Sequence, residues 1–351
     1  MTEDKMVIRA GLAAVALSAL LMGIDGGSAM AQSVQGPKVK WQLSTYGRPR
    51  STTAGTEMLA EIVKERTGGN FEIQNVYDSL SPLKENLDGV KIGAFEAGFI
   101  IASLHPGKTP TLNIFNLPFL PLGDMNVQAR VMDGYYKLPA VVQDVGRWDA
   151  TVVLPHALPA YELVGRGRKP TTVAELKGLR VRAPGELGDA LKKVGAVPTS
   201  MQATEVYQGL ERGLVDAAAF PFFAMKIYRT QDVCEWYTTN VAFGITSGFT
   251  VAGLKPYNAL PAQYKALLET AAKEAVTRHI EIFRKEEEDG MAALKAKNLQ
   301  PISFSAHEIA QFVEHAGKPI WDDWIKEMDS KGFPGRALLD YVLNESKKGA
   351  S

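Results

Sequence analysis

The chain has 351 residues, 46% of them hydrophobic, which is enough for two ordinary domains with a substantial core. Lys and Arg together equal Asp and Glu together, at 39 each, so the formal charge is zero and gives no support for a nucleic-acid or membrane-surface partner. The single cysteine, Cys234, excludes an intrachain disulfide, so the fold depends on its core.

The N-terminal segment predicts a cleavable export signal. Residues 10–24 form an uncharged run rich in Ala and Leu, which as a helix would reach about 22 Å, short of the ~30 Å hydrocarbon core of a membrane. Ala-Met-Ala at 29–31 fits cleavage after Ala31. A transmembrane anchor is the alternative, and because MTEDK is unusually acidic, the true start is either Met1 or Met6. We expect residues 1–31 to be removed and the mature chain to be periplasmic and not embedded in the membrane.

The first part of the mature chain alternates predicted strands and helices. The strand-like segments are VKWQLS (39–44), FEIQNVY (71–77) and AFEAGFIIAS (94–103). The segments between them have apolar residues at helical spacing, and the first predicted helix ends at Gly68 and Gly69. This β-α-β-α-β order is typical of a sheet with helices on both faces.

The second part of the chain predicts a further lobe. LNIFNLPFLP (112–121) indicates a packed loop, and ATVVLPHAL (150–158) indicates a short buried strand. A Gly/Arg/Pro stretch after this strand is predicted to turn the chain into a second lobe, of which KGLRVRAP (177–184) is a predicted strand. AAAFPF (217–222) predicts a strand or strand-loop, and a long helix runs from Pro261 to about Asp289.

No set of residues in the sequence is typical of an enzyme. HEIAQFVEH (307–315) lacks the His pair at i and i+4 that a zinc-protease helix needs, and there is no cysteine pair for zinc. The sequence has no GxSxG elbow, Walker loop or GxGxxG turn, and the carboxylates of EEED (286–289) follow one another on one helix. We therefore predict a protein that is not an enzyme, and the sequence indicates no cofactor and no metal ion.

Residues 174–221 carry three motifs in order: LKG-L-x-V-R-x-P, VGA-x-P-x-x-M and EVY-x-x-L-x-x-G-x-VD. TGGN, LPFL and the ALP that starts the long helix are accompanying features. With these motifs, residues 41–343 closely resemble the substrate-binding subunits of TRAP transporters, the tripartite ATP-independent periplasmic type (DctP-like family). The ordered succession is specific, whereas any one motif alone would be weak.

The resemblance implies an α/β fold of the two-lobed periplasmic binding protein class (type II-like), with mixed sheets flanked by helices and a long inter-lobe helix. The implied first lobe comprises residues 38–158 and about 247–285, and the second comprises 159–246 and about 286–343. The resemblance also implies capture of a small organic acid and its delivery to TRAP membrane permease subunits for secondary-active uptake.

The resemblance assigns the substrate carboxylate to one arginine, and the matching position here is Arg182. A guanidinium presents a planar fork that fits a carboxylate with two hydrogen bonds. An internal salt bridge to Asp or Glu is the alternative role for Arg182. Arg180 shares its strand face by alternation, and we interpret it as an exposed surface charge.

Three positions depart from the pattern of polar members of the family. Phe220 stands where many acid-binding relatives have an asparagine, and Ala203 stands where some sialic-acid binders have an aromatic residue. The second arginine of some members matches Glu162 or Leu163, although Arg166 lies nearby, out of register. We therefore expect fewer polar and more apolar contacts in the pocket.

These considerations give a candidate ligand-binding set. Tyr46 follows the first strand, and Phe220 and Phe223 supply an aromatic wall, with lobe core as the alternative for Phe222 and Phe223. The full set is Arg182, Phe220, Tyr46, Phe223, Arg166, Ser103 and Asn116.

The predicted ligand is a monocarboxylate with an apolar or aromatic body. A ligand-binding partner of a periplasmic sensing system is the alternative function, and a periplasmic enzyme is less favoured.

Overall fold

The computed structural model of the protein describes residues 33–105 and 107–348. The predicted export signal and its cleavage after Ala31 lie outside the described residues. Within them, no helix is both long and apolar enough to cross a membrane.

Strands and helices alternate along the chain. The strands are β1 (Val39–Thr45), β2 (Phe71–Tyr77), β3 (Ala97–Ile101), β4 (Ala150–His156), β5 (Glu162–Gly165), β6 (Arg180–Arg182), β7 (Val197–Thr199), β8 (Ala217–Phe220), β9 (Trp236–Thr238), β10 (Gly248–Gly253) and β11 (Gln300–Ile302). The helices are α1 (Ser51–Arg66), α2 (Asn86–Lys91), α3 (Met125–Tyr135), α4 (Pro139–Gly146), α5 (Gly185–Lys193), α6 (Val206–Glu211), α7 (Phe222–Ile227), α8 (Leu254–Ala259), α9 (Ala262–Ala296), α10 (Ala306–Phe312), α11 (Lys318–Ser330) and α12 (Gly335–Lys347).

The strands form two mixed sheets. The first has the order β2-β1-β3-β10-β4, in which β1 runs parallel to β2 and β3 and β10 runs antiparallel to β3 and β4. The second has the order β11-β9-β5-β8-β6-β7, with β6 parallel to both β7 and β8. Two sheets flanked by helices confirm the fold class predicted from the sequence, a two-lobed α/β protein.

Two extended segments connect the sheets and run side by side. Residues 157–161 join β4 to β5, and residues 239–247 join β9 to β10. The backbone N–H of Tyr161 donates to Gly244 O at 2.8 Å, and the N–H of Phe243 donates to Tyr161 O at 3.0 Å. We call these two segments the crossovers. Their mutual hydrogen bonds make them one ribbon between the lobes.

The long helix α9 is a third link between the lobes. Leu267 in its first half packs with Trp41 of the first sheet, and Leu294 near its end packs with Tyr237 of the second sheet. The helix continues to Ala296, beyond Asp289, where the sequence predicted its end. The charged residues 284–289 do not end the helix, because their side chains are exposed or partly exposed along its surface.

Proline splits the AAAFPF segment into a strand and a helix. Strand β8 ends at Phe220 because Pro221 has no N–H to continue the ladder, and α7 starts at the next residue. The predicted packed loop at 112–121 instead contains a 3₁₀ helix, Pro110–Asn116. At the C-terminus, α12 packs on α3, with the rings of Tyr341 and Tyr135 6.0 Å apart. The lobe boundaries given above remain a prediction.

Candidate functional site

A cavity of about 210 Å³ lies where the crossovers meet both lobes. This volume is below the ~300 Å³ at which pockets for drug-sized ligands begin, so it suits a small molecule. Its lining comes from the loop after β1, from β3, from both crossovers, from α7 and from α9. The lining residues are Tyr46, Thr52, Phe99, Ile101, Leu158, Pro159, Tyr161, Pro221, Phe223, Thr246 and Phe283.

Two aromatic pairs form most of the apolar wall. The rings of Tyr46 and Phe99 are 5.3 Å apart, and both residues belong to the first lobe. The rings of Phe223 on α7 and Phe283 on α9 are 5.4 Å apart. A planar or branched apolar group fits between such surfaces, because aromatic rings favour offset and edge contacts at these separations.

Tyr46 also brings a positive charge to the rim of the cavity. The exposed guanidinium of Arg50 lies over its ring, 4.5 Å from the centroid. Gly47 permits this fold-back, because it has a φ of 71° and a Cβ there would lie 3.1 Å from Arg50 Nη2. Burial raises the pKa of Tyr46, while Arg50 and Thr52 act in the opposite direction. The hydroxyl of Tyr46 therefore stays protonated at neutral pH.

Arg182 ends β6 as a partly buried cation with no acidic partner among the described residues. Its Nε donates to Met201 O at 3.1 Å and its Nη1 donates to Ala219 O at 3.2 Å. A guanidinium has five N–H groups, so three remain for a ligand. Burial lowers the pKa of Arg182, because its charge is only partly solvated. The internal salt bridge considered from the sequence is not formed within the described chain.

Phe220 lies beneath Arg182 rather than in the cavity wall. Its ring is 4.6 Å from the Arg182 guanidinium carbon, and it stacks on Tyr228 with the centroids 5.1 Å apart. Arg182 pairs with Ala218 of the neighbouring parallel strand β8. Arg182 and Phe220 are the last residues of β6 and β8, and α/β sheets place ligands at the carboxyl ends of their strands. Phe220 is buried and acts as a platform for the cation.

The other phenylalanines of FPFF divide between two roles. Phe223 lines the cavity, in agreement with the aromatic wall rather than the lobe core, which was the alternative for this residue. Phe222 is buried and packs edge-on against Tyr237, at 6.0 Å, in the core of the second lobe.

Arg180 is exposed, but it is paired. Its backbone N–H and its Nε donate to Asp216 Oδ2 at 2.9 and 3.0 Å, and Nη2 contacts Oδ1 of the same carboxylate. Asp216 belongs to the VD of the third sequence motif. This pair ties β6 to the start of β8. The two arginines of LRVR therefore differ: Arg180 is bonded to a carboxylate, whereas Arg182 has no acidic partner among the described residues.

The remaining predicted site residues lie outside the aromatic-lined cavity. Ser103 and Asn116 line a neighbouring cavity of about 50 Å³, and Asn116 Oδ1 accepts hydrogen bonds from the N–H and the hydroxyl of Ser247. Arg166 donates to Leu210 O and Glu211 O at the end of α6. The structure therefore brings Tyr46 and Phe223 together, places Arg182 and Phe220 in contact, and leaves Arg166 apart.

Several lining residues gave no sequence signal. Tyr161 and Thr246 are on opposite crossovers, and their hydroxyls are 3.2 Å apart, with Thr246 donating to Tyr161 Oη. Phe283 resembles any buried residue on the stripe of a long helix. Their shared position depends on how the crossovers and α9 pass between the lobes, which no local pattern reveals.

Two largely buried carboxyl groups accept hydrogen bonds from segments next to the cavity. Glu162 on β5 accepts hydrogen bonds from the Thr238 hydroxyl and the Ala242 N–H, and burial raises its pKa to about 7. Glu287 on α9 accepts the N–H of Phe223 at 2.9 Å, and burial likewise raises its pKa to about 7. Glu287 thus fixes the backbone that carries one aromatic wall of the cavity. Within residues 33–105 and 107–348, no group of three or more His, Cys, Asp or Glu is arranged to hold a metal ion.

Comparison with known families decides the affiliation. Residues 44–327 match DctP, the bacterial extracellular solute-binding proteins of family 7. The chain belongs to this family. The resemblance predicted from the motifs is thereby confirmed, and the fold described above is that of a solute-binding protein.

The relatives extend the comparison over most of the chain. A monocarboxylate 2-oxoacid-binding periplasmic protein of Nostoc sp. is 25% identical over 293 residues, which cover 82% of this chain and 79% of the relative. A solved TRAP periplasmic solute-binding protein of Desulfovibrio salexigens, an open complex, has a TM-score of 0.80 at 21% identity and covers 90% of this chain and 98% of its own.

Other solved proteins with this fold hold acids of several kinds. A TRAP solute-binding protein of Rhodoferax ferrireducens in complex with copurified benzoate has a TM-score of 0.71 at 21% identity, covering 89% of this chain and 98% of its own. Others were solved with pyroglutamic acid or β-D-glucuronate. At these identities the structural likeness shows the fold, and the ligand must be argued from the site.

Proposed function

We propose that this protein captures a monocarboxylate with an apolar or aromatic body and delivers it to a TRAP membrane permease after export to the periplasm. The observation that carries the proposal is Arg182, a partly buried guanidinium with three unused N–H groups. Arg182 is not itself a lining residue of the aromatic cavity, but it contacts Phe220, which directly precedes the lining residue Pro221. Each hydrogen bond to a charged group contributes about 1.5–3 kcal/mol net, so one such residue dominates the affinity for a small acid.

The apolar wall favours one acid group over two. Phe99, Phe223 and Phe283 form the apolar part of the cavity lining, and this part provides no donor for a second carboxylate. Burying an unpaired carboxylate against them would be costly. The relatives named for a monocarboxylate 2-oxoacid and for benzoate agree with this selection, although the relatives that hold uronates show that the fold itself does not impose it.

Capture follows from hinge closure about the ribbon formed by the crossovers. The acid contacts Arg182 in the second lobe and Tyr46 in the first, so its binding energy favours the closed arrangement of the lobes. A permease that contacts both lobes then distinguishes loaded from empty protein.

A thermal-shift panel tests the ligand class. Benzoate, phenylacetate and 4-methylpentanoate represent aromatic and branched monocarboxylates, whereas succinate, malate and glucuronate represent the excluded classes. A ligand present at 100 times its Kd stabilises the native state by ~2.7 kcal/mol, which raises the Tm by about 4 °C in a chain of this size. Stabilisation by succinate or malate without any by the first three acids would contradict the proposal.

A further inference from the structure

Tyr161 occupies a central position that its sequence context did not suggest. It lies on the first crossover, and it lines both the main cavity and the smaller cavity next to Ser103. Its backbone is held on both sides by the second crossover, through hydrogen bonds with Gly244 and Phe243. The ring therefore has a fixed origin between the lobes and does not belong to a mobile loop.

The hydroxyl of Tyr161 has an unused donor. Thr246 donates its hydroxyl hydrogen to Tyr161 Oη at 3.2 Å, which uses one acceptor site of the phenol oxygen. No described acceptor takes the phenol hydrogen, so it is free to be donated into the cavity that the ring lines. The side chain is partly buried, and a ligand in the cavity would supply an acceptor for this hydrogen.

Tyr161 and Arg182 lie near each other on different elements. Tyr161 directly precedes Glu162, which pairs with Phe220 of β8, and the Phe220 ring lies 4.6 Å from the guanidinium carbon of Arg182. Burial is the main influence on the pKa of Arg182, and the next is the nearby Tyr161, which raises it. Tyr161 also raises the pKa of Tyr46, after the larger effects of burial, Arg50 and Thr52. The phenol shares the cavity lining with Tyr46 and lies close to the second-lobe cation. A carboxylate has about four lone-pair sites, of which a guanidinium fork uses two, so one remains for a phenol donor.

We propose that Tyr161 is the second carboxylate-binding residue of this protein, donating its phenol hydrogen to the same acid group that Arg182 binds. The charged head of the ligand then sits at the crossovers, and its apolar body extends between Phe99, Phe223 and Phe283. Because Thr246 holds the phenol from the other crossover, the acid group is bonded to both segments about which the lobes move. This inference rests on the proposed function, since it assumes a carboxylate ligand.

The test is isothermal titration of benzoate and 4-methylpentanoate into the full mature protein and its Tyr161→Phe variant. The substitution removes one hydroxyl and keeps the ring. Loss of a hydrogen bond to a charged group predicts an affinity about 10- to 100-fold lower for both acids, with the Tm of the ligand-free protein little changed. Tyr257→Phe, in a groove on the outer side of the first lobe, is the matched control and is expected to bind both acids as the wild type does.

Two further variants separate a direct contact from an indirect one. Tyr228→Phe removes the other hydroxyl that influences Arg182 but lines neither cavity, so its effect should be much smaller than that of Tyr161→Phe. Thr246→Ser keeps the hydroxyl that donates to Tyr161 Oη, so any loss of affinity that it causes should be smaller than that of Tyr161→Phe. Equal losses in Tyr161→Phe and Tyr228→Phe, or wild-type affinity in Tyr161→Phe, would overturn the inference.

The outcome also distinguishes the inference from the function on which it rests. If the wild type binds neither acid, the proposed ligand class fails and the assignment of Tyr161 fails with it. If the wild type binds both and Tyr161→Phe binds them equally well, only the role of Tyr161 is refuted.

Discussion

Replacing Arg182 by alanine removes the cation on which the proposed function depends. The side chain makes two hydrogen bonds to carbonyl oxygens and lies over the Phe220 ring, and it has three N–H groups left for an acid. Loss of a single charge-assisted hydrogen bond costs about 1.5–3 kcal/mol, or roughly 10- to 150-fold in Kd, and loss of a two-bond fork costs more. Arg182→Ala should therefore weaken benzoate binding by at least tenfold.

Folding should survive this substitution. Arg182 has no acidic partner that its loss would leave buried and unpaired, so the cost to folding is limited to its two hydrogen bonds with carbonyl oxygens, those of the half-buried Met201 and of the buried Ala219. The assay is titration calorimetry on protein that has been unfolded and refolded to remove copurified acid, with circular dichroism as the check on folding.

Arg182→Lys and Arg180→Ala are the informative companions. Lysine keeps the charge but presents no planar fork, so it should restore only part of the affinity. Arg180→Ala breaks the contact with Asp216 at an exposed position and should leave benzoate binding nearly unchanged. A folded Arg182→Ala protein with wild-type affinity for the acid would refute the reasoning, and equal losses in the two alanine variants would refute the distinction between the arginines.

Three further expectations concern the wall of the cavity and its support. Phe223→Ala should weaken benzoate about tenfold but acetate hardly at all, because the small acid does not reach the ring; calorimetry with both acids decides, and equal losses would contradict the wall assignment. Glu287→Gln should remove a pH dependence of stability. The raised pKa, about 7, means that the native state binds the proton more tightly than the unfolded state does. In the wild type this stabilisation is complete below about pH 4.5 and is lost as the pH rises through 7. In urea unfolding, the free energy of unfolding of the variant should therefore rise by about 2 kcal/mol relative to that of the wild type between pH 5 and pH 8. A difference between the two proteins that is the same at both pH values would contradict this. Gly290→Ala should destabilise the protein by about 1–3 kcal/mol, because its Cβ would lie 2.3 Å from Phe222 O, whereas Gly146→Ala, with nothing within 4 Å, should be neutral or stabilising; chemical denaturation of the two variants compares them directly.

The sequence predicted those features that depend on local pattern. Alternating apolar segments indicated the strands of the first sheet, and the order of three motifs placed Arg182 at the end of a second-lobe strand. Phe220 was assigned to the wall because it stands where many acid-binding relatives have an asparagine, but Pro221 ends the strand just after it and turns the chain into α7. That turn sends Phe223 into the cavity and leaves Phe220 beneath the guanidinium.

The residues that were missed depend on contacts between distant segments. Tyr161 and Thr246 meet only because the two crossovers pair along their backbones, and Glu287 reaches the Phe223 N–H only because α9 spans both lobes. In the sequence, Glu287 is one of four successive acids and carries no mark that separates it from its solvated neighbours. Periodicity identifies the buried face of a helix, but it does not identify which other element that face will contact.

Helix α9 also provides an internal ruler for measuring lobe motion by single-molecule fluorescence. Cysteines introduced for labelling at Lys273 and Lys297 would be separated by about 36 Å along one helix, a spacing that stays constant whether the protein is open or closed. A second pair, from Lys273 to Lys192 on α5 in the other lobe, would report the closing movement against that fixed reference. The native Cys234 is buried, so dyes would attach selectively at the new exposed positions. The rate at which an acid closes the protein can then be measured with the second dye pair, and the pair on α9 calibrates the distances.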